Sequence, residues 1–210
     1  MKNIILIAPP AAGKGTLSNM LSKSFGYVSL STGDILRERA NEDSSLKEKM
    51  MSGKLIDDET VFEALKAKLN KLGDTPYILD GFPRTVMQAV MYDELLQELG
   101  KEIGVVIYLD VDKEELKDRV VTRLICPQCK ASYSTRNKEL LPKNEGVCDT
   151  CNVKLIQRED DKEEVFNSRY DEYVNKTSPL VDYYESKGLL ERINKVTASD
   201  VFEEASTLIK

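Results

Sequence analysis

The chain has 210 residues, 41% hydrophobic and 31% charged, with a formal net charge of −6, which suits one soluble domain with insertions and an ample core. The acidic balance excludes a global basic field for nucleic acid or an anionic membrane, so any anion site must be a local cluster of Arg and Lys. No histidine is present, which excludes any imidazole-based triad and the usual nitrogen metal ligand.

In chain order, apolar runs predict strands at Asn3–Ala8, Tyr27–Leu30, Tyr77–Asp80, Val105–Asp110 and Leu189–Ile193. Helical patterns fall between them, for example Gly15–Lys23, Glu59–Leu72, Thr85–Leu99, Lys113–Arg123 and Glu163–Lys187. Val61, Leu65, Leu69 and Leu72 form an apolar stripe at helical spacing. Strand and helix in alternation imply an α/β fold with a parallel sheet covered on both faces. Residues 31–60 read as a polar helical insertion, and 122–160 as a small lobe carrying the cysteines and the breakers Pro127, Pro142 and Gly146. The run Ile4–Ile7 is too short for a signal-peptide core or a membrane span, and a cytosolic protein is expected.

Ala8-Pro9-Pro10-Ala11-Ala12-Gly13-Lys14-Gly15-Thr16 links the first strand to a helix. Such a loop turns backbone N–H groups and a helix N-terminus towards a polyphosphate, with Lys14 reaching the β- and γ-phosphates and Thr16 near a metal. The strict G-x-x-x-x-G-K-[ST] pattern fails, because Ala8 replaces the first Gly and Gly15 displaces Thr to 16. An ordinary strand-to-helix turn with a solvated lysine is the alternative.

The third strand delivers Asp80-Gly81-Phe82-Pro83-Arg84-Thr85, with Gln88 beyond, to the sheet edge where ligands bind. There Asp80 can organise hydrated Mg²⁺ and Arg84 can fork onto a phosphate. Cys126-Pro-Gln-Cys129 and Cys148-Asp-Thr-Cys151 have the C-x₂-C-x₁₅₋₂₀-C-x₂-C spacing of structural zinc sites. Four thiolates make a closed tetrahedral shell. Two disulfides or four free thiols are the alternatives.

Gly13-Lys14-Gly15-Thr16, Ser31-Thr32-Gly33-Asp34 with Arg37, and the Asp80–Thr85 segment with Gln88 occur in order. Asp118-Arg119, Arg123, Arg158-Glu-Asp160-Asp161 and Arg169 follow. From Lys2 to about Leu190 this set resembles the adenylate kinases of the long bacterial type. The resemblance implies a P-loop NTPase-type core with a five-stranded parallel sheet flanked by helices. It also implies a helical AMP-binding flap, a small zinc-stapled lid and the reaction Mg²⁺·ATP + AMP ⇌ 2 ADP. The implied division is core at 1–30, 61–121 and 161–210, flap at 31–60 and lid at 122–160.

The family implies catalytic roles for Lys14, Asp80, Arg84, Arg123, Arg158 and Arg169. It places ATP on Ala11, Ala12, Gly13, Lys14, Gly15 and Thr16, with Arg119, Arg123, Ser132 and Tyr133. Tyr133 either stacks near the base or packs the lid core. AMP falls to Thr32, Arg37, Lys54, Leu55, Ile56, Gly81, Phe82, Pro83, Arg84, Gln88, Arg158 and Arg169. Arg37 and Arg84 would hold the acceptor phosphate, and the Gln88 amide would pair with adenine N1 and its 6-amino group. Implied cofactors are Mg²⁺ with ATP and structural Zn²⁺, bound by Cys126, Cys129, Cys148 and Cys151. A monomer with no nucleic-acid or membrane partner is expected.

The family usually has Gly at positions 8 and 11, where this chain has Ala. If either position needs φ > 0, Ala costs roughly 1–2 kcal/mol; the expectation is that Gly13 and Gly15 carry the tight geometry. The rivals are a UMP/CMP kinase, a GTP-dependent kinase, a non-catalytic nucleotide sensor with a degraded loop, and a zinc-ribbon nucleic-acid binder. The acidic balance and absent Trp make the last improbable.

Overall fold

The computed structural model describes residues 3–41, 43–52, 56–195 and 197–209. Five parallel strands form the sheet in the order β2-β3-β1-β4-β7, being β1 Asn3–Ile7, β2 Val28–Ser31, β3 Tyr77–Asp80, β4 Ile103–Leu109 and β7 Leu190–Ile193. The predicted strands are all present, with no end shifted by more than two residues.

The two-residue period of β1 builds two cores. Ile5 and Ile7 face one layer with Leu65 of α4 (Asp58–Leu72), Tyr92 of α5 (Val86–Glu98) and Tyr184 of α8 (Pro179–Ser186). Ile4 and Leu6 face the other, with Leu17 of α1 (Lys14–Phe25) and Leu116 of α6 (Lys113–Thr122). Phe166 of α7 (Glu163–Glu172) and Ala205 of α9 (Ala198–Leu208) complete that layer. Burial on both faces explains why these strands are continuous apolar runs.

The polar insertion contains α2 (Thr32–Ala40) and α3 (Ser44–Met51), whose few apolar side chains Leu36, Ala40 and Leu46 dock on the first core. The small lobe pairs β5 (Arg123–Ile125) with β6 (Ser132–Ser134) in an antiparallel ribbon.

Two elements differ from expectation. The stretch read as one helix, Glu163–Lys187, is interrupted by a π turn at Tyr173–Thr177. Pro179 starts α8 and has no N–H for the ladder, while the Ser178 N–H reaches back to the Tyr173 carbonyl at 2.8 Å. Helix α9 was not anticipated; its Phe202 packs on Phe25 of α1, ring centroids 6.3 Å apart.

The chain leaves β1 towards β2 on one side, and leaves β3 for β4 across β1 on the other. That switch of direction opens a crevice at the C-terminal ends of β1 and β3. In register, Leu6 of β1 and Ser31 of β2 both lie opposite Asp80.

Candidate functional site

The loop after β1 curls over the crevice because two residues take left-handed backbone, Ala11 at φ 64° and Gly13 at φ 101°. Ala11 therefore meets the positive-φ condition and bears the strain, whereas Ala8 does not. The expectation for Gly15 is corrected: it lies in α1 without positive φ, and a Cβ there would only touch Asp80 Oδ2 at 3.6 Å. Lys14 Nζ donates to the carbonyls of Ala8 at 2.9 Å and Pro9 at 3.3 Å. Burial, together with Arg84, Arg169 and Arg123, outweighs the attraction of Asp80 and pulls its pKa down to about 8.

A cavity of about 210 Å³ runs from this loop to the small lobe. Lys14 and six arginines line it: Arg37 from α2, Arg84 after β3, Arg119 from α6, Arg123 from β5, Arg158 and Arg169. Gly13, Gly15, Thr16, Asp80, Ser132 and Tyr133 line it too.

Carboxylates interleave with these cations. Arg37 donates to Asp34 at 2.7 Å, Arg169 to Asp160 at 3.1 Å, and Arg123 Nε to Asp161 at 2.8 Å. Burial raises the pKa values of Asp34 and Asp160, but the arginines outweigh it and hold both below the usual carboxylate range. For Arg158 and Arg169, burial and neighbouring guanidinium groups pull the values down to about 10. Arg158 Nε is buried without a hydrogen-bond partner. Such an orphan donor, in a cluster of like charges, is a place where an oxyanion is favoured.

A second cavity of about 60 Å³ lies beneath α2 and α3. Thr32, Leu36, Ile56, Val61, Gly81 and Gln88 line it, and it shares Gly33, Arg37, Arg84 and Arg169 with the larger one. Gly81 takes φ 83°, and a Cβ there would come within 3.0 Å of Arg84 and 3.1 Å of Thr32, so the tight corner requires glycine. Thr32 Oγ1 donates to the Gly81 carbonyl at 2.7 Å. The Phe82 ring is wholly buried, edge-on to Tyr92 at 5.8 Å, and so packs the core. Pro83 borders a further small cavity with Lys14, Arg84 and Arg169. Lys54 and Leu55 lie outside the described residues.

The four cysteines converge, their sulfurs all within 4.8 Å of one another. The two C-x-x-C turns repeat the same local structure. Cys129 N–H points at Cys126 Sγ and Cys151 N–H at Cys148 Sγ, both at 3.4 Å. After each turn comes a left-handed residue, Lys130 at φ 60° and Asn152 at φ 55°. Backbone N–H groups aimed at sulfur suit thiolates, and four sulfur donors at this spacing are compatible with one tetrahedral structural ion. Tyr133 is buried in the same lobe; its hydroxyl meets Cys148 Sγ at 3.4 Å and accepts from Asp149 N–H at 2.9 Å. The Tyr133 side chain thus packs within the lobe while it also lines the large cavity.

A family model described as "Adenylate kinase" matches residues 6–189. The chain belongs to the adenylate kinase family. It is 45% identical to an adenylate kinase of Caldicellulosiruptor bescii over 192 residues, 89% of this chain and 88% of that protein. One of Thermotoga petrophila is 39% identical over 206 residues, 95% and 93% of the two chains. One of Methanosarcina barkeri is 42% identical over 214, covering 99% and 98%.

Sequence reading did not name Asn137, Leu140 or Val201, and it assigned no role at Lys195 to Thr197 because the chain departs there from the family's usual Gly-containing adenine-contact loop. Asn137, Leu140, Lys195, Thr197 and Val201 also line the large cavity. Thr197 caps α9, accepting from Asp200 N–H at 3.1 Å. The position of β7 at the crevice was the available signal, because residues just past a parallel strand's C-terminal end face ligands.

Proposed function

We propose that the chain transfers a phosphoryl group from Mg²⁺·ATP to AMP, giving two ADP. One observation carries this reading: two cavities, one at the phosphate loop and one beneath the helical insertion, share Arg37, Arg84 and Arg169. A donor and an acceptor nucleotide so placed bring their phosphates together at the shared cations.

The acceptor is a phosphate oxygen, already ionised near neutrality because a second phosphate pKa is about 6. No general base is needed, in keeping with a chain without histidine. Lys14 and the N–H groups of Ala11 to Thr16 hold the donor phosphates, with Arg119 beside them. Arg37 and Arg84 orient the acceptor, while Arg123, Arg158 and Arg169 meet charge spreading over the transferring oxygens. Arg158 Nε, buried and unpartnered, gains an acceptor in that arrangement. Asp80 and Thr16 supply oxygen donors that would hold a hydrated Mg²⁺, and the ion would supply charge neutralisation at the donor phosphates.

Thr32, Ile56, Gly81, Pro83 and Gln88 shape the AMP site, together with Lys54 and Leu55; the segment at Phe82 contributes backbone. Ser132 and Tyr133 border the donor nucleoside. Residues 31–60 act as a flap and 122–160 as a lid; Cys126, Cys129, Cys148 and Cys151 hold Zn²⁺ that folds the lid. The protein works as a cytosolic monomer. Among the described residues no helix is long and apolar enough to cross a membrane.

Initial rates of ADP formation with AMP, UMP and CMP as acceptors test the reading. Rapid turnover with AMP alone is expected. Preference for a pyrimidine acceptor, or none turned over by folded, zinc-loaded protein, would overturn it.

A further inference from the structure

Gln88 is 1% exposed, yet one side of it faces the small cavity. Its amide is held at both ends by groups that cannot exchange roles. The Arg84 backbone N–H donates to Gln88 Oε1 at 2.7 Å, and Gln88 Nε2 donates to Asp58 Oδ1 at 2.8 Å. Asp58 is the first residue of α4, on a different element from Gln88. Thr85 Oγ1 donates to both Asp58 carboxylate oxygens, at 3.2 Å each, while it accepts the Gln88 N–H at 3.1 Å. The hydroxyl thus pins the carboxylate that pins the amide.

We propose that Asp58 is a positioning residue that sets the nucleobase choice of the acceptor site, by fixing which way round the Gln88 amide lies. The proposal rests on the reading that Gln88 meets the acceptor base. A backbone N–H only donates and a carboxylate only accepts. Turned over, the amide would set NH₂ against N–H and oxygen against carboxylate, two mismatches in a buried place.

As held, the amide keeps one N–H and one oxygen lone pair for a ligand. Adenine offers an acceptor at N1 and a donor at its 6-amino group, which match. Hypoxanthine and guanine offer the reverse, a donor at N1 and an acceptor at O6. A freely turning amide would serve both classes of purine; the fixed one serves adenine. The starts of α4 and α5 therefore meet at a polarity lock, made by a residue that never touches the base.

The experiment compares kcat/KM for AMP and for inosine monophosphate, which differs in the 6-substituent and N1 proton, with Mg²⁺·ATP as donor. It uses the full chain, Asp58→Asn and Gln88→Leu. The unaltered protein should prefer AMP by about 100-fold or more, since a site built to pair polar groups rejects the wrong pattern strongly. In Asp58→Asn the side-chain amide can donate or accept, so the preference should narrow at least tenfold, while the KM for ATP stays within about twofold. A structural disturbance alone would slow both acceptors equally and leave their ratio unchanged.

An unchanged ratio in Asp58→Asn, together with a collapsed one in Gln88→Leu, would overturn the role of Asp58 and keep the base reading. An unchanged ratio in Gln88→Leu would overturn both. Should Asp58→Asn fail to fold, Asp58→Ser suits a helix start and reads the same ratio with the same outcomes.

Discussion

Arg123 and Asp161 join the two stems of the small lobe: Arg123 opens β5, Asp161 precedes α7, and the guanidinium grips the carboxylate through both Nε and Nη2. The Asp161 side chain is fully buried and that of Arg123 is 17% exposed. Burial lowers the Arg123 pKa, but the hydrogen bond and charge of Asp161 outweigh it and raise the value. One contact thus closes the lobe's base and aims a cation at the cavity.

Asp161→Ala should therefore injure both fold and chemistry. Leaving a buried charge uncompensated costs about 3 kcal/mol or more, and a misaimed donor costs about 100-fold in kcat. Denaturant unfolding and steady-state kinetics check the two effects. A variant losing stability with kcat unchanged would show that Arg123 is not held for catalysis.

Nucleotide binding should couple to protons through Lys14. Its pKa in the empty protein is about 8, against 10.5 for a free lysine. A folded value below the unfolded one means the buried ammonium opposes folding below pH 8, and that opposition fades as pH rises from 8 towards 10.5. Bound phosphates favour the ammonium and raise the value again. ATP binding should release or take up no proton at Lys14 well below pH 8 and take up close to one at pH 9. Affinity should then fall about tenfold per pH unit above 8 until the bound value is reached. Calorimetry in buffers of differing ionisation enthalpy measures the uptake.

Ala11→Gly should stabilise the protein slightly. It removes roughly 1–2 kcal/mol of left-handed strain at φ 64° and adds about 0.5–1 kcal/mol of unfolded-chain freedom. A small rise in Tm with ATP affinity changed less than about threefold is expected. A steep gain in affinity would show instead that the methyl obstructs the phosphates.

Stripping the metal with a strong chelator should unfold the lobe and spare the sheet. Most of the lobe's buried cluster is Cys126, Cys148, Tyr133 and Leu155, too little to hold without an ion. Activity should fall at least 100-fold and return with Zn²⁺, while most helical circular dichroism persists. Unimpaired turnover in metal-free protein would refute a structural role for the cysteines.

The sheet was legible because each strand is a short apolar run with turn residues beside it, and the cysteine quartet because spacing alone sets a knuckle. Helix α9 was not: Phe202 gains meaning only when Phe25 of α1 is placed against it. The π turn at Tyr173–Thr177 hid behind helical composition, with Pro179 its one local sign. Asp58 falls just before the predicted helix Glu59–Leu72 and carried no signal of its own; its bond to Gln88, 30 residues away, exists only in the folded chain. Lys195 and Thr197 come to the large cavity through tertiary placement rather than motif.

The proposed transfer is direct, between two nucleotides held on shared arginines. Rapid-quench single turnover with ATP labelled at the γ-phosphate, in the presence of AMP, tests it most directly. The expected result is label appearing only as the β-phosphate of ADP formed from AMP, with no phosphorylated protein and no inorganic phosphate released. Label trapped on the protein, or inorganic phosphate formed as fast as ADP, would rule out direct transfer between the nucleotides.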